Sequence, residues 1–144
     1  MIDEKSIEKT RKAIKSAGNC QTIKAQNPEY NRKIIEYGGF SSIMGIEDSE
    51  NSDSVRSINS GMNEILARIA KKNSVSFSID LGNLRNRERK EKAEYLKKLL
   101  QNIKICRKTG AKLSILNYRD KRNAKSLLLS LGASTQQASE TICF

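Results

Sequence analysis

Apolar residues recur along this chain with two alternating periods, and the alternation predicts its elements. Ile7, Ala13, Ile14 and Ala17 fall near helical spacing and stop at Gly18, a natural helix C-terminal cap. CQTIKAQ then reads as a short strand, and Asn27-Pro28 as an N-cap with proline at the first helical position, opening a helix that ends at Gly38. FSSIMGI is a second short strand. Met62, Ile65, Leu66, Ile69 and Ala70 follow the i, i+3, i+4, i+7, i+8 pattern of a core-facing helix ending near Asn73.

In VSFSIDL the period switches to two, with Val75, Phe77, Ile79 and Leu81 on one face and Ser76, Ser78 and Asp80 on the other. Parallel strands covered on both faces are usually apolar on both, so the small polar face suits a barrel-like interior. A long helix over about residues 88–109 carries Ala93, Leu96, Leu99, Leu100, Ile103 and Cys106 on one stripe, and Gly110 closes it. AKLSILN is the fourth strand, Asp120 an N-cap for KRNAKSLLLSL, and Ser134 with Gln137 a capping box for a last short helix. The order is one helix, four strand–helix units and a short helix, which implies a parallel sheet with right-handed crossovers and the α/β class.

The chain is read as a single domain over residues 1–144, interrupted by a polar loop at 47–58 without apolar periodicity, EDSENSDSVRS at its heart. Charge is unevenly placed. Residues 1–72 hold 12 basic and 10 acidic side chains, whereas residues 73–144 hold 15 and 6, so most of the formal net charge of +11 lies in the second half. Such polarity fits a polyanionic partner, with solubility alone as the plainer alternative.

Parallel topology would bring the segments following each strand to one edge of the sheet, where α/β proteins build their sites. Arg56 follows the second strand, Arg85, Arg87 and Arg89 the third, and Arg119, Lys121 and Arg122 the fourth; Arg107 and Lys125 on the adjoining helices complete the candidate RNA-binding set. Guanidinium groups grip phosphates with paired hydrogen bonds, and backbone and shape contacts suit a chain with no Trp and only Tyr118 in a basic loop. Alternatively, Arg85, Arg87 and Arg89 pair with Glu88, Glu91 and Glu94 on the next helix.

Other chemistries find little footing. With no histidine, His-centred triads and imidazole-rich metal sites are excluded, leaving acid/base work to carboxylates, Lys or Cys. Neither G-x-G-x-x-G nor G-x-x-x-x-G-K-[ST] occurs. Asp80 and Asp120 are the best-placed carboxylates, each equally readable as a cap for the next segment. Cys20, Cys106 and Cys143 lack C-x-x-C spacing, and no apolar run approaches the ~18 residues of a membrane span, so the expectation is a cytoplasmic protein.

Four stretches taken together carry a family resemblance: YNRKIIEYG at 30–38, NSGMNEILARIAKKNSVSFSIDL at 59–81, YLKKLLQNIKICRKTGAKLSI at 95–115 and RDKRNAKSLLLSLGAS at 119–134. In order and spacing they resemble the thirty-kilodalton subunit of ribonuclease P, protein component 3 in archaea, over nearly the whole chain. The resemblance implies a TIM-like barrel of the polymerase and histidinol phosphatase type. It also implies a noncatalytic role, supporting a ribozyme RNA that removes the 5′ leader of precursor tRNA. The implied partners are that RNA, precursor tRNA and a small ferredoxin-like protein subunit. No cofactor is expected on the chain itself, with Mg2+ needed through the RNA. The alternatives are a metal-dependent phosphoesterase of that fold and a generic basic α/β nucleic-acid-binding module.

Two departures stand out. The family usually has further strands and helices at the start, so an incomplete barrel is expected here, completed by association with another copy or another chain. In SGMNE, Glu64 occupies a place where the family pattern usually carries histidine.

Overall fold

The computed structural model describes residues 1–49 and 58–142. Four strands, β1 (Thr22–Lys24), β2 (Ser42–Met44), β3 (Ser76–Asp80) and β4 (Leu113–Leu116), form one sheet in the order β1-β2-β3-β4 with every pairing parallel. The helices are α1 (Ile7–Ala17), α2 (Pro28–Tyr37), α3 (Glu64–Lys72), α4 (Leu81–Asn86), α5 (Arg89–Thr109), α6 (Lys121–Ser130) and α7 (Thr135–Ile142). With the strands in sequential order, α2, α3 and α5 form one layer against the sheet. α1 packs on α2, α2 on α3, and α3 on α5. Among the described residues the sheet is open, an incomplete TIM-barrel-like arrangement within the expected α/β class. Residues Ile2 and Ile23 form a further parallel bridge at the β1 edge.

The local signals act as their chemistry requires. Asn27 Oδ1 accepts from Tyr30 N at 2.8 Å to start α2, and Asp120 Oδ1 accepts from Asn123 N at 2.9 Å to start α6. Gly110 ends α5 in the left-handed region, φ 76°, where a side chain would be strained. Ser134 and Gln137 exchange the two capping-box hydrogen bonds.

The two strand faces differ as the alternation predicts. Ile23, Ile43, Phe77, Ile79, Leu113 and Ile115 are buried and meet Ile34, Ile35, Leu99 and Ile103 from the helices, each such side chain contributing about 1.5–3 kcal/mol. On the other face Thr22 and Ser42 hydroxyls lie 2.9 Å apart and those of Ser78 and Ser114 2.5 Å apart, so the polar row is satisfied across neighbouring strands.

Three expectations need correction. Ile65 is 66% exposed, because the buried stripe of α3 is Leu66, Ala67 and Ala70, rotated away from it. Leu100 is likewise exposed, since α5 turns Tyr95, Leu99, Asn102, Ile103 and Cys106 inward. The segment after β3 is no loop: Asp80 caps a short helix, α4, accepting from Gly82 N at 2.8 Å, and the chain bends at Arg87 before α5 begins.

Candidate nucleic-acid interface

Parallel pairing ends all four strands at the same edge, and α2, α5 and α6 begin there because each runs back across the sheet. The edge therefore collects helix N-termini, with their partial positive charge, beside the segments 46–48, 81–89 and 117–122. Asp80 Oδ1 holds two of these segments together by also accepting from Asn117 Nδ2 at 2.8 Å. Asn117 sits at φ 56°, a conformation Asn tolerates better than most residues. Its carbonyl in turn accepts from the Arg85 guanidinium at 2.9 Å. Asp80 is thus a cap and a strap, the plainer of its two readings.

The candidate cations divide into groups. Arg89, Arg119, Lys121 and Arg122 are exposed, and Lys125 is half-buried one turn into α6; among the described residues none of the five makes a side-chain hydrogen bond or ion pair. Arg85 is exposed, and among the described residues its side chain is bound only to a carbonyl. Arg107 lies near the end of α5, about 27 Å along the helix axis from Arg89 at 1.5 Å per residue, at the opposite edge of the sheet. There its Nη1 donates to the Gly132 carbonyl at 3.4 Å, beside a cavity of about 580 Å³ lined also by Lys112 and Glu140. It does not join the others. Arg56 lies outside the described residues.

Arg87 departs furthest from expectation. Its side chain is 19% exposed; Nη2 donates to both carboxylate oxygens of Asp48 at 2.7 and 2.6 Å, and the guanidinium lies 4.1 Å from the Tyr95 ring centroid. The alternative pairing of Arg85, Arg87 and Arg89 with Glu88, Glu91 and Glu94 is absent among the described residues. Those carboxylates lie at the N-cap and on the first turns of α5, while the chain bend at Arg87 aims its guanidinium at the turn after β2.

That turn holds what sequence reading missed. Ile46–Asp48 form a 3-10 turn in which Glu47 is 3% exposed and accepts a hydrogen bond from the Tyr95 hydroxyl. Burial pushes the Glu47 carboxyl up to about 7, against the opposing Tyr95 hydrogen bond. Burial also raises the Tyr95 phenol, helped by the Glu47 charge and hydrogen bond. A polar, acidic stretch gave no sign that one carboxyl would turn inward; the only signal was Tyr95 on the apolar stripe of α5, a residue that needs a partner when buried.

Elsewhere, Cys106 is packed beside Met62 and burial pushes its thiol up to about 12, so it is no nucleophile. Glu64 pairs with Lys108 at 2.6 Å and Arg68 at 3.7 Å, and the Lys108 hydrogen bond lowers its carboxyl below the usual range. Among the described residues no three His, Cys, Asp or Glu side chains gather as metal ligands, and no helix is long and apolar enough to cross a membrane.

With this geometry in hand, comparison with solved structures is informative. A chain from a cryo-electron microscopy structure of archaeal ribonuclease P with mature tRNA superposes with a TM-score of 0.79 at 19% identity, over 98% of this chain. The fold is shared. This chain spans 62% of the length of that one. No protein-family model matches, and no curated protein matches in sequence. At this identity the likeness is structural, to a chain of an archaeal ribonuclease P complex.

Proposed function

We propose that this chain is a noncatalytic, RNA-binding protein subunit of a ribonuclease P, supporting the RNA that removes the 5′ leader of precursor tRNA. The observation that carries the reading is the fold shared with a ribonuclease P chain over 98% of this one. It is supported by the cations at one edge of the sheet, Arg85, Arg89, Arg119, Lys121, Arg122 and Lys125, which no described carboxylate neutralises. In that role they contact phosphates of the RNA and of precursor tRNA, giving binding that weakens steeply with salt. Arg87 serves the edge indirectly, as its strut. A small ferredoxin-like subunit is the protein partner, the open sheet edge is covered by a further copy or chain, and Mg2+ acts through the RNA.

Reconstitution tests this. The chain, a ribonuclease P RNA and the ferredoxin-like subunit are combined, and 5′-leader removal is followed at limiting Mg2+. The expected outcome is stimulation over RNA alone that depends on this chain. Absence of stimulation, with no salt-sensitive RNA binding, leaves the fold without this function. Shallow salt dependence together with capture of an acidic protein would instead favour a protein-binding module.

A further inference from the structure

The proposed interface contains an ionisable group that contact with phosphate does not need. Glu47 follows β2 closely, at the edge where the exposed arginines lie, and is buried there against Tyr95, with the half-buried Arg87 and the exposed Asp48 beside it. Among the described residues, the groups facing it are Tyr95 from α5, which donates to its carboxyl, Asp48 beside it on the same turn, and Arg87 from the bend between α4 and α5. Asp48 already holds Arg87, and the Asn83 amide of α4 also reaches Asp48, at 3.3 Å. The cluster therefore has net charge −1 when Glu47 is ionised and is neutral when it is protonated. A phosphate brought to this edge is repelled in the first state and not in the second.

We infer that binding of RNA at this edge is coupled to partial uptake of a proton by Glu47. The inference rests on the proposed RNA-binding function and adds a regulation to it. Burial has already brought this carboxyl to about 7, so the proton is exchanged near neutrality. By linkage, a polyanion raises the carboxyl further, and the bound state holds more protons than the free one. Affinity is then complete below a pH of about 7 and falls as pH rises above it. A like charge roughly 10 Å away at an effective dielectric near 20 changes affinity by about fifteenfold unscreened, which salt screening over a Debye length of about 10 Å reduces to about three- to tenfold. The chain contains no histidine, so the group that usually confounds such measurements is missing.

The test measures the affinity of a precursor tRNA transcript between pH 6 and 8 at fixed salt, for the native chain and Glu47→Gln. The native protein is expected to lose about three- to tenfold affinity across that range, and Glu47→Gln to stay flat at the tight, low-pH value. Calorimetry of the native chain in two buffers of different ionisation enthalpy gives the proton count directly, and needs no variant to fold. Salt-sensitive binding with no pH dependence and no proton uptake overturns the coupling while leaving the RNA-binding function intact. A pH dependence that persists in Glu47→Gln overturns the assignment to this residue. No binding at any pH overturns both.

Discussion

Basic side chains on the first helices and on the last ones are handled differently. Lys24 pairs with Asp3 at 3.1 Å, Arg32 with Glu36 at 2.9 Å, Lys33 with Glu29 at 2.5 Å and Arg68 with Glu64 at 3.7 Å. Beyond β3, the only ion pairs among the described residues are Arg87 with Asp48 and Lys108 with Glu64, and both borrow a carboxylate from the first half. Asp80 and Asp120 are held as helix caps and form no ion pair with a cation of the edge among the described residues. Ion pairing is thus commoner before β3, in four of eleven described cations against two of fifteen beyond it, although Lys9, Arg11, Lys12 and Lys15 on α1 also form no ion pair among the described residues.

Arg87 breaks the pattern, and removing it should have the largest effect on folding. Arg87→Ala leaves Asp48 without its partner and uncovers the Tyr95 ring beside the buried Glu47. The expected loss is about 2–3 kcal/mol of stability, somewhat less than for a fully buried pair, read from urea denaturation. Stability unchanged within about 0.5 kcal/mol would return Arg87 to the set of free cations.

Arg119 and Arg122 are the opposite case. Neither is buried or paired, so Arg119→Ala/Arg122→Ala should unfold at nearly the same urea concentration as the native protein. If each contacts one phosphate, RNA affinity should drop on the order of 10- to 100-fold near 0.1 M salt, and the slope of log affinity against log salt should become shallower by about 1.8. Precursor-tRNA cleavage in the reconstituted enzyme should weaken with it. An unchanged slope would mean that these side chains face solvent in the complex.

Whatever local chemistry determines was legible in the sequence. Asn27-Pro28, Asp120, Ser134 with Gln137, and Gly110 mark helix ends because each satisfies or relieves its own backbone within a few residues. Strand alternation placed Ser78 on the polar face, though its partner Ser114 depends on register between strands. What escaped depends on tertiary direction. Ile65 fits a helical stripe, yet the rotation of α3 against the sheet turns it outward. Arg87 lies between Arg85 and Arg89 in an apparently uniform run, and only the bend between α4 and α5 sends it to Asp48, 39 residues earlier in the chain. Glu47 was hidden for the same reason: its burial is caused by Tyr95, which is 48 residues away.

The smallest effect belongs to the paired side and bears directly on the contrast. Arg32 and Lys33 lie on the exposed surface of α2, each bound to a glutamate one turn away. Such i,i+4 pairs contribute about 0.3–0.5 kcal/mol apiece and are screened by salt. Arg32→Ala/Lys33→Ala removes as many positive charges as Arg119→Ala/Arg122→Ala. If RNA responds only to net charge, the two double variants should bind equally weakly. If the unpaired edge makes the contacts, the α2 variant should keep its salt slope and lose no more than about threefold in affinity through the long-range field. Measuring both variants on the same transcript at two salt concentrations separates the outcomes, because a diffuse charge effect fades at high salt whereas a lost phosphate contact alters the slope itself.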